Sequence, residues 1–354
     1  MNNLSACIIA KNEETNIRRC IESLSPLQCE VIVVDTGSTD NTISIAQKCG
    51  AHVYSFPWIN DFSAARNFSI KKASNDWIFI IDCDEWITEI TGNIWDYLLQ
   101  DETILGMINR KNLMHADTTF GSYTSLLARV FNRKHYYYQG IIHEQVTPYV
   151  THDLDGILLP ITMNHSGYVN EGLSTEQKKN RNITLLTKTL SEDPNQPIQW
   201  YHLGHEYYAS GEYQRAIDCF EKVLVLNPDK ELEYFRHTIQ SYCESLLAIN
   251  EIKKSYLLEQ YENLWNSYPD YHYLLGKIYF LDGKLLNSMQ CFIKATTLNT
   301  PYIEGTNTYL PWFYIGKINE LYGEYDAALL FYEKCGVFEP AIDARKQLSE
   351  RNCL

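Results

Sequence analysis

A chain of 354 residues, 45% apolar and 21% charged, has material for two domains with ordinary hydrophobic cores. Its formal net charge of −14 disfavours a partner gripped mainly through phosphate backbone or an anionic membrane surface, so no nucleic-acid partner is expected. No run approaches the roughly 20 apolar residues of a transmembrane helix, and the scattered cysteines, with no CxxC, read as reduced thiols of a cytoplasmic protein.

The first apolar run, SACIIA (5–10), is followed at once by KNEE and reads as a first strand, not a signal peptide. Further strands are predicted at EVIVVD (30–35), AHVYSF (51–56) and WIFIID (77–82), with helices at about 13–24, 40–49 and 62–74. The alternation and the unbroken apolar runs predict an α/β domain, its largely parallel sheet covered by helices on both faces. Beyond residue 100 the segments 104–111, 124–132, 140–146 and 157–166 read as strands without full helices between them, so the sheet becomes mixed.

From about residue 198 there is no strand pattern but a repeat. WYHLGHEYYASGEYQRAIDCFEKVLVLNP (200–228) is matched by stretches at 273–301 and 312–340. They share Gly204, Gly276 and Gly316, then Gly211, Gly283 and Gly323, then Pro228, Pro301 and Pro340. The 72-residue gap from Gly204 to Gly276 leaves room for a degenerate unit at about 232–269, and a closing helix is expected near 341–351. The pattern is that of tetratricopeptide repeats, which stack antiparallel helix pairs into an all-α solenoid. Domains are placed at 1–185 and 186–354.

In an open α/β sheet, ligands bind beyond the carboxyl ends of the strands. Four polar segments gather there: KNEE (11–14), DTGSTDNT (35–42), NDFSAARN (60–67) and DCDE (82–85). The order IIAKNEE, VIVVDTGSTDNT, ARN, IDCDEW resembles the family 2 glycosyltransferases of the GT-A (Rossmann-like) fold, over about residues 4–170. Such enzymes bind a nucleoside diphosphate sugar, and the diphosphate leaving group calls for Mg²⁺ or Mn²⁺ held by carboxylates. In extended backbone Asp82 and Asp84 face one ligand while Cys83 turns back into the sheet. Glu85 has the plainer reading of an acid at the start of a following helix.

The resemblance implies a nucleotide-sugar site drawn from Ala10, Asn12, Glu13, Asp35, Arg66, Asp82 and Cys83, with Asp35 accepting the uracil N3–H and Arg66 meeting phosphate or base. Gly37 lets the loop turn, and Ser38, Thr39 and Asp40 are read as caps of the next helix. Asp61 and Asn67 are weaker candidates, Asp61 also reading as a helix cap. Thr36 stands where the family more often has a second aspartate and is given no role. YQGIIHEQV (138–146) supplies a base, Glu144 chosen over His143, against the plain reading of a structural pair. His165 in MNHSGYVNEG (163–172) is the expected third metal ligand beside Asp82 and Asp84. Lys179 and Arg181 in KKNRN (178–182) either close over the diphosphate or start a solvated helix.

The whole pattern resembles bacterial transferases that glycosylate ribosomal peptides, the sublancin-type peptide S-glycosyltransferases. This implies inverting transfer of a hexose, glucose favoured, from a UDP-sugar to a cysteine or serine of a bacteriocin-type peptide. The repeats would bind that peptide through Tyr201, Tyr207 and Tyr208. The chain departs from those enzymes in lacking an N-terminal helical extension, so a homodimer stays open as an expectation. The alternative is a transferase of cell-envelope polysaccharide or lipopolysaccharide synthesis that docks through its repeats. An inactive scaffold is opposed by the intact Asp35, Arg66, Asp82 and Asp84.

Overall fold

The computed structural model describes residues 3–113, 123–150, 156–166 and 175–351. The chain divides into two units, Met1–Leu185 and Leu186–Leu354.

The first unit is built on strands β1 (Leu4–Ala10), β2 (Glu30–Asp35), β3 (His52–Ser55), β4 (Trp77–Ile80), β5 (Glu85–Ile90), β6 (Leu105–Asn112), β7 (Tyr123–Asn132) and β10 (Gly156–His165). They form one mixed sheet in the order β3-β2-β1-β4-β7-β6-β10-β5. Strands β1 to β4 are mutually parallel, as the unbroken apolar runs require; β7 enters antiparallel to β4 and β6. Helices α1 (Ile17–Ser23), α2 (Thr42–Lys48) and α3 (Phe62–Lys72) make the crossovers, and a short α4 (Trp95–Leu98) comes after β5. Ile8, Val33, Phe79 and Ile81 lie in the core on one face, and Cys7, Ile32, Ile78 and Phe131 on the other. The strand order reverses between β1 and β4, which leaves a crevice at their carboxyl ends.

Three expectations fail here. Residues 140–146 are not one strand: β8 (Tyr136–Gln139) and β9 (Gln145–Pro148) form a small hairpin. Gly140 at φ 105° and His143 at φ 48° turn the chain between them. The acidic DCDE is not extended either, because a turn closed by Glu85 N–H to Asp82 C=O (3.0 Å) separates β4 from β5. Glu85 opens a strand, not a helix.

The second unit is helical, entered through α5 (Thr175–Glu192), which begins in the first. Pairs α6 (Pro197–Ala209) with α7 (Tyr213–Leu226), α11 (Pro269–Leu281) with α12 (Leu285–Thr296), and α13 (Tyr309–Leu321) with α14 (Tyr325–Lys334) are the three clear repeats. The degenerate repeat has a full first helix, α8 (Glu233–Ala248). Its second helix is broken into α9 (Ile252–Ser255), a 3₁₀ segment (Tyr256–Tyr261) and α10 (Glu262–Trp265). The last helix, α15 (Glu339–Arg351), closes the array.

One turn joins the helices in all four repeats. Gly211, Asn250, Gly283 and Gly323 hold φ of 73°, 65°, 74° and 78°, and asparagine is the residue that best tolerates this region after glycine. The first glycine of each clear repeat is required by close approach. A Cβ on Gly204 would sit 2.5 Å from Phe220, on Gly276 2.7 Å from Phe292, and on Gly316 2.5 Å from Tyr332. Gly276→Ala should therefore destabilise the repeats by about 1–3 kcal/mol through overpacking. Urea unfolding followed by far-ultraviolet circular dichroism would read this, and Phe292→Leu in the same chain should return part of the loss.

Candidate active site

The end of β1 and the loop after β2 are tied together. Asn12, at φ 55°, gives its N–H to Ser38 Oγ (2.9 Å) and accepts the Thr39 N–H on Oδ1 (2.8 Å). Glu13 N–H donates to Thr42 Oγ1 at 2.7 Å, and Thr36 donates its N–H and its hydroxyl to Ala10 C=O at 2.8 and 3.1 Å. Ser38 and Thr39 are thus loop clasps rather than helix caps; of the three expected caps, Asp40 alone reaches α2, accepting the Thr42 N–H (3.0 Å). Thr36, given no role from sequence, helps join the two loops. Asp35 is buried and accepts the Gly37 and Ser38 N–H groups at 3.0 and 3.1 Å. Burial pushes the Glu13 carboxyl up, partly offset by its bond from Asn16.

Helix α3 is capped by Asp61, which accepts the Ala64 N–H (2.9 Å). One turn on, Asn67 brackets Tyr138, donating to its C=O (2.8 Å) and accepting its N–H (2.9 Å). Both weaker candidates are therefore scaffold. They fix α3 against the β8–β9 hairpin, and so bring Arg66 to Glu144.

Arg66 is the centre of a buried ion network. Its Nε meets Glu144 Oε1 at 2.5 Å and its Nη2 meets Asp82 Oδ1 at 2.8 Å. Arg129 Nη2 holds the other Asp82 oxygen (2.9 Å) and Glu85 Oε1 (2.8 Å). Arg110 Nη1 adds a contact to Glu85 Oε1 (3.2 Å), whose Oε2 accepts the Asp82 N–H (3.0 Å). Glu85 is wholly buried and Arg66 and Arg129 are 7% exposed, so each charge depends on its partners. Burial alone would lift the Asp82 carboxyl, but Arg66 and then Arg129 hold it far below the usual carboxylate range.

This network corrects the sequence reading. Asp82 pairs with two guanidinium groups. Cys83 is buried, its thiol donating to Ile9 C=O (3.4 Å), so its side chain lines the core and not the crevice. Arg129, Arg110 and Glu85 were missed. Their signal was an arginine inside the apolar strand LLARVF, since such a cation is buried only when paired.

Asp84 meets His165 instead, with Oδ2 3.4 Å from Nε2. His165 Nδ1 lies 2.9 Å from Oδ1 of the fully buried Asn112, an acceptor only. Nδ1–H is therefore the donor to Asn112, which leaves Nε2 as the ring atom that faces the carboxylate. The spacing of that nitrogen and oxygen is near what a shared cation needs: ligands about 2.1 Å from one octahedral ion lie ~3 Å apart. Among the described residues no three His, Cys, Asp or Glu side chains gather as a metal cluster; of Asp82, Asp84 and His165, the last two approach each other while Asp82 pairs with arginines. The turn carrying Asp84 is gripped through its backbone by Ser166 N–H (3.0 Å to Asp84 C=O) and by the Cys20 thiol (3.4 Å to Asp82 C=O). Arg19 stacks on Trp86 (3.5 Å) and donates to Ser166 Oγ (3.2 Å).

At the start of α5, Arg181 lies over the Phe62 ring (5.0 Å), and the charge of Lys178 acts on Glu13. Lys179 is half-buried on the same turn. Burial, with a smaller push from Arg181, lowers the His143 imidazole to about 4, while Glu144 pulls the other way.

These loops belong to a recognisable sequence class: residues 5–142 match glycosyl transferase family 2, and residues 197–230 and 269–301 match tetratricopeptide repeats. The first unit carries a family 2 glycosyl transferase domain. A tetratricopeptide repeat-containing protein of Synechococcus elongatus is 36% identical over 148 residues, 41% of this chain and 36% of that protein. The prophage-derived glycosyltransferase SunS of Bacillus subtilis is 30% identical over 255 residues, 69% of this chain and 58% of that protein. A glycosyltransferase of Rickettsia bellii is 33% identical over 184 residues, 49% of this chain and 62% of that protein. The chain thus spans about a third to three fifths of these relatives. Among the described residues no helix is long and apolar enough to cross a membrane.

Of the tyrosines expected to line a peptide groove in the tetratricopeptide unit, Tyr207 is core. It is 5% exposed, on the α6 face shared with Leu203 and Gly204, under the Arg215 guanidinium (3.9 Å), which donates to its hydroxyl. Tyr208 donates its hydroxyl to Glu244 on α8, and Lys277 on α11 stands 3.8 Å from the same carboxylate, so one chain of contacts joins three successive repeats. Tyr201 packs half-buried on His205 and Tyr234.

Because the folded chain keeps His143 neutral down to about pH 4, the unfolded imidazole, near 6.5, takes up a proton first as the pH falls. Stability tied to His143 is present above pH 6.5 and is lost between there and about 4. His143→Asn is neutral and tolerates the positive φ. Between pH 7 and 5 it should lose about 1–2 kcal/mol less than the parent, read from urea midpoints at the two pH values. Equal losses would rule His143 out as the titrating group.

Proposed function

We propose that this chain is an inverting glycosyltransferase that moves a hexose, glucose favoured, from a UDP-sugar to a cysteine or serine of a ribosomal bacteriocin-type peptide. The observation that supports it most is one loop cluster of a family 2 domain holding two separate chemical pairs, Asp84 with His165 and Arg66 with Glu144. The peptide acceptor rests on the likeness to the sublancin-type enzymes and on the tetratricopeptide repeats.

Asp84 and His165 would hold Mn²⁺ or Mg²⁺, which neutralises charge developing on the diphosphate when bound. Asn112 keeps the imidazole in the tautomer that ligation needs. Asp35, with two loop amides already on its carboxylate, has lone pairs left for the base N–H, and Asn12 and Glu13 border the same loop. Ala10 contributes backbone alone. Lys179 and Arg181 would stand at the diphosphate side. Glu144, oriented by Arg66, is assigned as the proton acceptor, with His143, which burial keeps neutral, as the alternative. A cysteine acceptor, with a free pKa near 8.5, is partly thiolate already and needs that base less than serine does.

Mass spectrometry of cysteine and serine peptides incubated with several UDP-sugars and Mn²⁺ tests the proposal. A hexose adduct is expected, lost in EDTA and in Asp84→Ala; an adduct made at full rate in chelator would refute the metal role. Asn112→Ala should weaken activation by Mn²⁺ about 10–100-fold. Glu144→Gln should slow transfer to serine by about 10²–10⁴ and to cysteine far less. Equal losses on both acceptors would make Glu144 a substrate-positioning group. Transfer to no peptide, with hydrolysis of the UDP-sugar intact, would favour cell-envelope synthesis.

A further inference from the structure

The Asp84 turn has to be presented to a ligand from a loop without regular structure, and something has to hold it there. The backbone grips from Ser166 and Cys20 fix its carbonyls. Its side chains are held by the ion network, and three features of that network single out Arg129. One nitrogen of Arg129, Nη2, reaches both Asp82 Oδ2 and Glu85 Oε1, at 2.9 and 2.8 Å, so a single group spans the two ends of the turn. The network holds three carboxylates, Glu144, Asp82 and Glu85, and three guanidinium groups, Arg66, Arg129 and Arg110. Losing Arg129 leaves a surplus negative charge at Asp82 and Glu85, with Arg66 already divided between Asp82 and Glu144. Third, Nε of Arg129 and Nη1 of Arg66 are buried without a hydrogen-bond partner among the described residues. A purely structural ion cluster has every reason to satisfy its donors.

We infer that Arg129 is a positioning residue of the donor site: through Asp82 and Glu85 it sets the 82–85 turn so that Asp84 faces His165, and it takes the Asp82 oxygen that Arg66 does not hold. The inference rests on the proposed nucleotide-sugar reading but assigns a role to a residue on β7, outside every loop the motif analysis marked. The competing account is that Arg129 merely neutralises the buried Glu85.

The two accounts part in a charge-balanced pair of variants. The full-length protein is titrated calorimetrically with UDP in Mn²⁺, and each variant's thermal midpoint is measured beside it. Arg129→Gln is expected to weaken UDP about tenfold or more, and to lower the midpoint because Glu85 is left short of a partner. Arg129→Lys keeps the charge, but its shorter side chain ends about one bond short of the Nη2 position that reaches both carboxylates, so it should recover the midpoint more than the affinity. In the double variant Arg129→Gln/Glu85→Gln the buried charge is balanced again, so the midpoint should return while UDP stays weak. Recovery of both midpoint and affinity in the double variant would overturn the inference in favour of simple neutralisation. So would parental affinity in Arg129→Gln. Absence of UDP binding by the parent protein would instead bring down the nucleotide-sugar reading, and this role with it.

Discussion

Asp82 offers two oxygens, and a different buried arginine takes each. Buried charges persist only when paired, and removing one partner leaves an uncompensated charge that costs several kcal/mol. The consequence runs through the fold. Arg66 comes from α3, Arg129 from β7, Arg110 from β6, Glu144 from the β8–β9 turn and Glu85 from the start of β5, so the network fastens five elements to the end of β4. Its charges sum to zero among themselves. The Asp84–His165 pair therefore stands outside it, with its own oxygen and nitrogen directed at each other.

This separation gives the two aspartates of DCDE different work. Asp82 is an anchor, each of its oxygens held by an arginine. Asp84 meets a histidine whose Nδ1 faces the amide oxygen of a fully buried asparagine. A site of one carboxylate and one imidazole binds a hard cation weakly by itself, and the remaining positions are open to phosphate oxygens and water. On the proposed reading such a cation would be best retained with the diphosphate present, which suits a group needed only while a leaving group is being stabilised.

The helical unit rests on a simpler constraint. Three times, a glycine in the first helix lets an aromatic ring of the second approach to where a Cβ would stand. In the degenerate repeat Cys243 lies buried on α8 and the partner helix breaks into short pieces, although Asn250 keeps the turn. The turn survives because it needs one left-handed residue, whereas the helix pair needs a small residue and a ring at a fixed crossing.

The strand–helix alternation and the repeats were legible in the sequence because they depend on local periodicity: unbroken apolar runs for a two-sided sheet, glycine and proline at fixed spacing for the repeats. Asp61 as a helix cap was legible for the same reason. What neighbours in sequence could not show was which distant charge each acid meets. Asp82 and Asp84 look equivalent two residues apart, and only the approach of α3 and β7 to one and of β10 to the other makes them different. Arg129, buried mid-strand, had no motif around it. His143 and Glu144 were expected to alternate along a strand, but Gly140 and His143 turn the chain. Tyr207 and Tyr208, adjacent and alike in sequence, are parted by the helix into a core ring and a hydroxyl bound to Glu244. Pairing of buried charge and the facing of a helix are decided by what packs against them, and that is a property of the tertiary structure alone.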